Sequence, residues 1–141
     1  EMIERRDRVD DALHATKAAL QEGIVPGGGV ALARAAMNIS APTPDLDPGY
    51  SIVKQACLSP LRQIVKNTGK SSDLVIEKVW ESDNVSFGYD AREESYGDMF
   101  ELGVIDPLKV VRCALRNACS AATLLLTSDC AMVEDRENNI E

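Results

Sequence analysis

Aromatic side chains make up only 4% of this 141-residue sequence, with one Trp, three Tyr and two Phe. A core built from it depends on Leu, Ile, Val and many Ala, and small side chains favour helices that approach closely. Histidine occurs once, and Cys57, Cys113, Cys119 and Cys130 form no C-x-x-C pair, which argues against a zinc site. Cys113 and Cys119 read as small core residues on an apolar helix rather than as a disulfide, and a reducing compartment is the expected home. No apolar run approaches the roughly 20 residues of a membrane span, and no signal-peptide pattern opens the chain. Basic runs with interleaved aromatics are also missing, and the formal net charge is -8, so neither a nucleic acid nor a membrane is an expected partner. What remains, 45% apolar and 27% charged, is the make-up of an ordinary globular chain. The length suits one domain or a piece of one. Because Glu1 stands in the middle of a helical pattern, with no Met and no cap, the sequence reads as a cut from something longer.

The stretch that organises the rest is Gly23-Ile24-Val25-Pro26-Gly27-Gly28-Gly29, between a helix over 1–22 and a second over 29–39. Gly23 suits the left-handed position past a helix end. The three later glycines bring bare backbone to a helix N-terminus, where unpaired N–H groups and a partial positive charge suit a phosphate or carboxylate. The same glycines equally suit a turn that lets two backbones pack closely. In the first helix Val9, Leu13, Thr16 and Leu20 form a narrow apolar stripe, and Asp11 falls on the opposite, solvated face. His14 follows Asp10 by one turn, an ordinary i,i+4 pair with a structural reading.

Farther along, the Ala41-Pro42-Thr43-Pro44 break reads as a loop. A helix from about 48 to 67 contains Pro60, which predicts a kink near Ser59. Ser72-Asp73 caps a short helix ending near Trp80. Residues 85–89 alternate as a strand, and 93–102 read as a helix stopped by Gly103. Asp106-Pro107 has the pattern of an N-cap followed by Pro at the first helical position. The helix it opens, to about Thr127, is apolar over most of its girth and therefore expected at the centre of the fold. Cys130 to Val133 reads as a strand, pairing with 85–89 or with another subunit. The fold class is mainly α with one or two short strands.

Six segments then carry a resemblance spread over nearly the whole chain. They are Asp11-Ala12-Leu13-His14-Ala15-Thr16, the run from Glu22 through Gly29 to Leu32, Pro60-Leu61-Arg62-Gln63-Ile64, Gly88-Tyr89-Asp90-Ala91, Tyr96-Gly97-Asp98-Met99 and Gly103-Val104-Ile105-Asp106-Pro107-Leu108-Lys109-Val110. In this order they resemble the group I (GroEL-type) chaperonins. The resemblance implies the end of an intermediate domain over residues 1–21, then the C-terminal half of an equatorial helical bundle over 22–141. It implies ATP and Mg²⁺ as cofactors, with the metal ligands mainly on a glycine–threonine loop that this sequence lacks. It matches Asp11 to the catalytic carboxylate that positions the attacking water. Gly28 matches the glycine against the nucleotide, and Asp90, Ala91 and Arg92 the stretch that reads adenine. Val104 matches the residue packed on the adenine face, and Asp106 the carboxylate on the ribose hydroxyls. At Arg92 the family often carries a small or apolar residue, so only its backbone carries over. The implied partners are other chaperonin subunits in a homo-oligomeric double ring, a co-chaperonin and unfolded client proteins, in a bacterial cytoplasm or an organelle matrix. The alternative is a non-enzymatic chaperonin-like module that associates with rings or with itself.

Overall fold

The computed structural model describes residues 1–132, which fall into two units, Glu1–Val111 and the segment from Arg112 onward. The elements in chain order are α1 (Met2–Glu22), β1 (Ile24–Pro26), α2 (Val30–Met37), a 3₁₀ turn (Pro44–Leu46) and α3 (Asp47–Asn67). There follow α4 (Ser72–Glu81), β2 (Phe87–Asp90), β3 (Ser95–Asp98), β4 (Ile105–Pro107) and α5 (Leu108–Leu126). The protein is mainly α, with two small two-stranded sheets.

The core of the first unit sits where α2, α3 and α4 meet. Val30, Ala33 and Ala36 recur along one face of α2, and Cys57, Leu58, Leu61 and Val65 along one face of α3. Val75, Ile76 and Val79 complete the contact from α4. These helical spacings are what a buried stripe requires. Trp80 is half-buried and donates its indole N–H to the Ala33 carbonyl at 3.1 Å. Arg34 clamps the chain leaving α4, donating to the carbonyls of Ser82 (2.9 Å) and Asn84 (2.6 Å). Helix α3 runs through Pro60 without interruption, although proline leaves the Ala56 carbonyl without its usual helical donor.

Two positions of the glycine turn show why side chains are excluded there. Gly29 has φ +80°, and a Cβ on it would stand 2.7 Å from the Leu61 nitrogen and 2.9 Å from the Leu61 Cα. The start of α2 thus lies against the backbone of α3. Gly28 has φ +65°, but its nearest obstacle is the flexible end of Met99 at 3.1 Å.

Several local expectations give way to tertiary pairing. Residues 93–102 are not helical: Ser95–Asp98 pairs antiparallel with Phe87–Asp90, with Gly88 opposite Gly97 and Tyr89 opposite Tyr96. Both ends of this hairpin are set by aspartates. Asp90 Oδ1 accepts the N–H groups of Arg92 (2.8 Å) and Glu93 (3.3 Å), and Asp98 Oδ1 accepts those of Phe100 (2.8 Å) and Glu101 (3.4 Å). Asp106 is not an N-cap. It lies in β4, opposite Val25, two residues before α5 begins, because the β1–β4 ladder takes the backbone that a cap would use. Asp73 does not cap α4; Ser71 takes the N-cap position without a side-chain bond, while Asp73 pairs with Arg62 at 2.7 Å. Cys130 to Met132 form no strand, and Val133 lies outside the described residues.

The largest departure concerns α5, which buries none of its residues. Leu124, Leu125 and Leu126 are 69, 76 and 87% exposed. Cys119 is exposed and Cys113 only half-buried, so neither is a core residue. Helix α1 likewise buries nothing, and Val9, Leu13 and Leu20 of its stripe face solvent. Apolar patches of this extent on folded chains mark contact surfaces.

Gly29→Ala should therefore destabilise the protein by about 2–4 kcal/mol, combining a left-handed backbone with overpacking. Gly28→Ala should cost only about 1–2 kcal/mol, since the Met99 side chain can shift. Urea unfolding of the natural chain carrying each variant checks this, and equal losses at the two positions would contradict the account.

Candidate functional site

A relay of backbone hydrogen bonds assembles a polar-rimmed cleft in the first unit. Strand β1 pairs with β4 across some 80 residues of sequence, with Ile24 opposite Pro107 and Pro26 opposite Ile105. The Gly27 N–H extends this ladder to the Val104 carbonyl at 2.9 Å. The Val104 N–H donates to the Met99 carbonyl at 2.8 Å, and the Met99 N–H to that of Ser86 at 2.9 Å. The glycine turn, the segment before β4 and the β2–β3 hairpin are thereby locked together.

The space between them is a cleft of about 440 Å³ lined by residues from four segments, including Gly28, Ile64, the 89–93 run and Leu102 to Val104. Ile64, Leu102 and Val104 give it apolar walls. Backbone groups and the carboxylates of Asp90 and Glu93 give it a polar rim. Gly28 lines the cleft with backbone, and the direction its side chain would take is filled by Met99. The volume lies within the range of small-molecule sites. No three His, Cys, Asp or Glu side chains among the described residues cluster so as to hold a metal.

A model of the TCP-1/cpn60 chaperonin family matches residues 1–136. The chain belongs to that family. Among solved structures, one described as a group III chaperonin in the open state matches 82% of this chain with a TM-score of 0.71 at 24% identity. At that identity the likeness speaks for a shared fold. The chain spans 25% of the length of that chaperonin chain.

Of the residues singled out from the sequence, the structure gathers Gly28, Asp90, Ala91, Arg92 and Val104 around one cleft. It does not bring Asp11 or Asp106 among the lining residues. Asp11 lies exposed on α1 and makes no hydrogen bond or ion pair among the described residues. His14 keeps its structural reading, with Nε2 3.8 Å from Asp10 Oδ2. Asp106 is half-buried in β4, two residues along the same ladder from Val104. Burial pushes its carboxyl above the ordinary value of 3.8, because the charged form loses hydration. Sequence reasoning did not assign Ile64, Glu93, Leu102 or Gly103 to a site. Ile64 stood within the Pro60–Ile64 match and Gly103 directly before Val104, so adjacency to the matching segments was the available signal.

The sign of the Asp106 effect is testable. A raised carboxyl pKa means that the folded chain binds this proton more tightly than the unfolded chain, so stability falls as pH rises through the interval above 3.8. Asp106→Asn should therefore unfold at higher urea than the wild type at pH 7. That advantage should disappear when the pH is brought below the ordinary aspartate range. An advantage independent of pH would assign the effect to packing instead.

Proposed function

We propose that this chain is the C-terminal part of a group I chaperonin subunit whose ATP cycle drives protein folding. Residues 1–21 would end its intermediate domain, and residues 22–141 would supply half of its equatorial domain, with one wall of the ATP site. The observation that carries the reading is the gathering of Gly28, Asp90–Arg92 and Val104, distant in sequence, around a single cleft in a chain that belongs to the chaperonin family.

In this reading adenine lies on Val104 and bare Gly28 backbone, while the 90–92 run faces its polar edge. Asp106 takes the ribose hydroxyls as acceptor, and its partial burial strengthens such a bond by excluding water. Mg²⁺ is held mainly by groups outside these residues. Asp11 acts from α1, which joins β1 through Gly23 (φ +84°), a residue with no atom near its Cβ direction. Rotation there would carry the Asp11 carboxylate toward the γ-phosphate, where it would orient a water for attack. The exposed apolar residues of α5 support a second role in contacts with the rest of the subunit and the ring.

In the complete subunit, Asp11→Ala should lower ATP turnover on the order of 10²-fold while leaving ATP affinity within about twofold. Parallel loss of affinity and turnover would remove the water-positioning role. Asp106→Ala should weaken ATP and ADP by roughly tenfold, the worth of a charge-assisted hydrogen bond. Calorimetric titration reads this directly, and an unchanged affinity would leave Asp106 a purely structural strand residue.

A further inference from the structure

Ala91 to Glu94 connect β2 to β3, and the last of them stands in an unusual backbone state. Glu94 has φ +51°, the one positive value at a non-glycine residue among the described residues. Such a position ordinarily goes to Gly, Asn or Asp, and a longer side chain keeps it only where the surroundings over-determine it. The entry side of the turn is fixed by Asp90 Oδ1, which accepts the Arg92 and Glu93 N–H groups. Those bonds do not reach Glu94.

Lys70 does. Its root lies at the junction between α3 and α4, between buried Val65 and Val75, where Gly69 (φ +76°) turns the chain. From this base Lys70 Nζ pairs with Glu94 Oε2 at 2.9 Å, donates to the Glu94 carbonyl at 3.5 Å, and stands 5.2 Å over the Tyr89 ring. The ion pair alone contributes little, because the two side chains are 40 and 56% exposed. The other two contacts give it direction. The carbonyl bond engages the Glu94 backbone itself, and the ring belongs to a residue only 1% exposed, so the cation rests on a fixed platform.

We propose that Lys70 is a positioning residue for the cleft: it holds Glu94 in its left-handed conformation and thereby keeps the adjoining rim in place. Lys70 does not line the cleft, whereas Tyr89 to Glu93 do, so it acts through the turn and not on a ligand. This deepens the ATP-site reading above and rests on it.

Calorimetric titration of the complete natural chain with ATP and with ADP, beside amide exchange at Arg92 and Glu93, tests it. Lys70→Met should weaken both nucleotides by about two- to fivefold, as the fraction of chains with a competent rim falls. Exchange at the Arg92 and Glu93 N–H groups should quicken by a similar factor. Lys70→Arg should keep wild-type values, since a guanidinium pairs with Glu94 and rests on Tyr89 equally well. Adding Glu94→Gly to Lys70→Met should restore affinity, because glycine takes positive φ unaided. A lowered melting temperature with unchanged affinity and exchange would make Lys70 a structural residue only and overturn the proposal. A loss of affinity that Glu94→Gly fails to recover would overturn Glu94 as the link. If the wild type binds neither nucleotide, the ATP-site reading falls, while unchanged exchange in Lys70→Met would still overturn the hold on the turn.

Discussion

Bare backbone at Gly27 to Gly29 is the constraint on which the rest of the structure depends. It lets the start of α2 lie against the backbone of α3 at Leu61. It also lets the Gly27 N–H reach the Val104 carbonyl. The first contact permits Val30, Ala33 and Ala36 to pack on Leu58, Leu61 and Val65 with no large ring to fill the gap. Interiors at crystal-like density tolerate no added methyl at such a contact. The second fixes the β4 approach, and through Met99 the hairpin, so one floor of the cleft is Gly28 itself. The close-packing reading of the glycines is met at one residue of the run. Gly29 serves the close contact, whereas Gly28 faces the cleft.

The carboxylates show a comparable sharing of duties. Asp90 holds the hairpin turn through Oδ1 alone. Asp98 is committed more fully, since Oδ2 also accepts the Asn84 amide at 2.9 Å. That amide, ahead of the Phe100 and Glu101 N–H groups, holds the Asp98 carboxyl below its ordinary range. Asp106 sits in a strand at the cost of partial desolvation. A half-buried carboxylate without a partner among the described residues is a costly choice for stability alone, which accords with a ligand role in the proposed function.

The sequence by itself determined the helices of the first unit, because their apolar spacings have a helical period and Gly or Pro stands at an end of α1, α2 and α3. It also marked segments that line the cleft, since Gly28, Asp90 to Arg92 and Val104 all fall within or beside the matching motifs. Tertiary structure alone decided that these segments share one cleft. The β1–β4 ladder that unites them pairs residues about 80 positions apart, beyond the reach of any local pattern. The same reason explains the hairpin at 87–98, where strand pairing overrode a helical reading of 93–102. It explains α5 in reverse. Its apolar girth specified burial, but a stripe states only that a cover is needed, and where that cover lies is a property of the assembled fold.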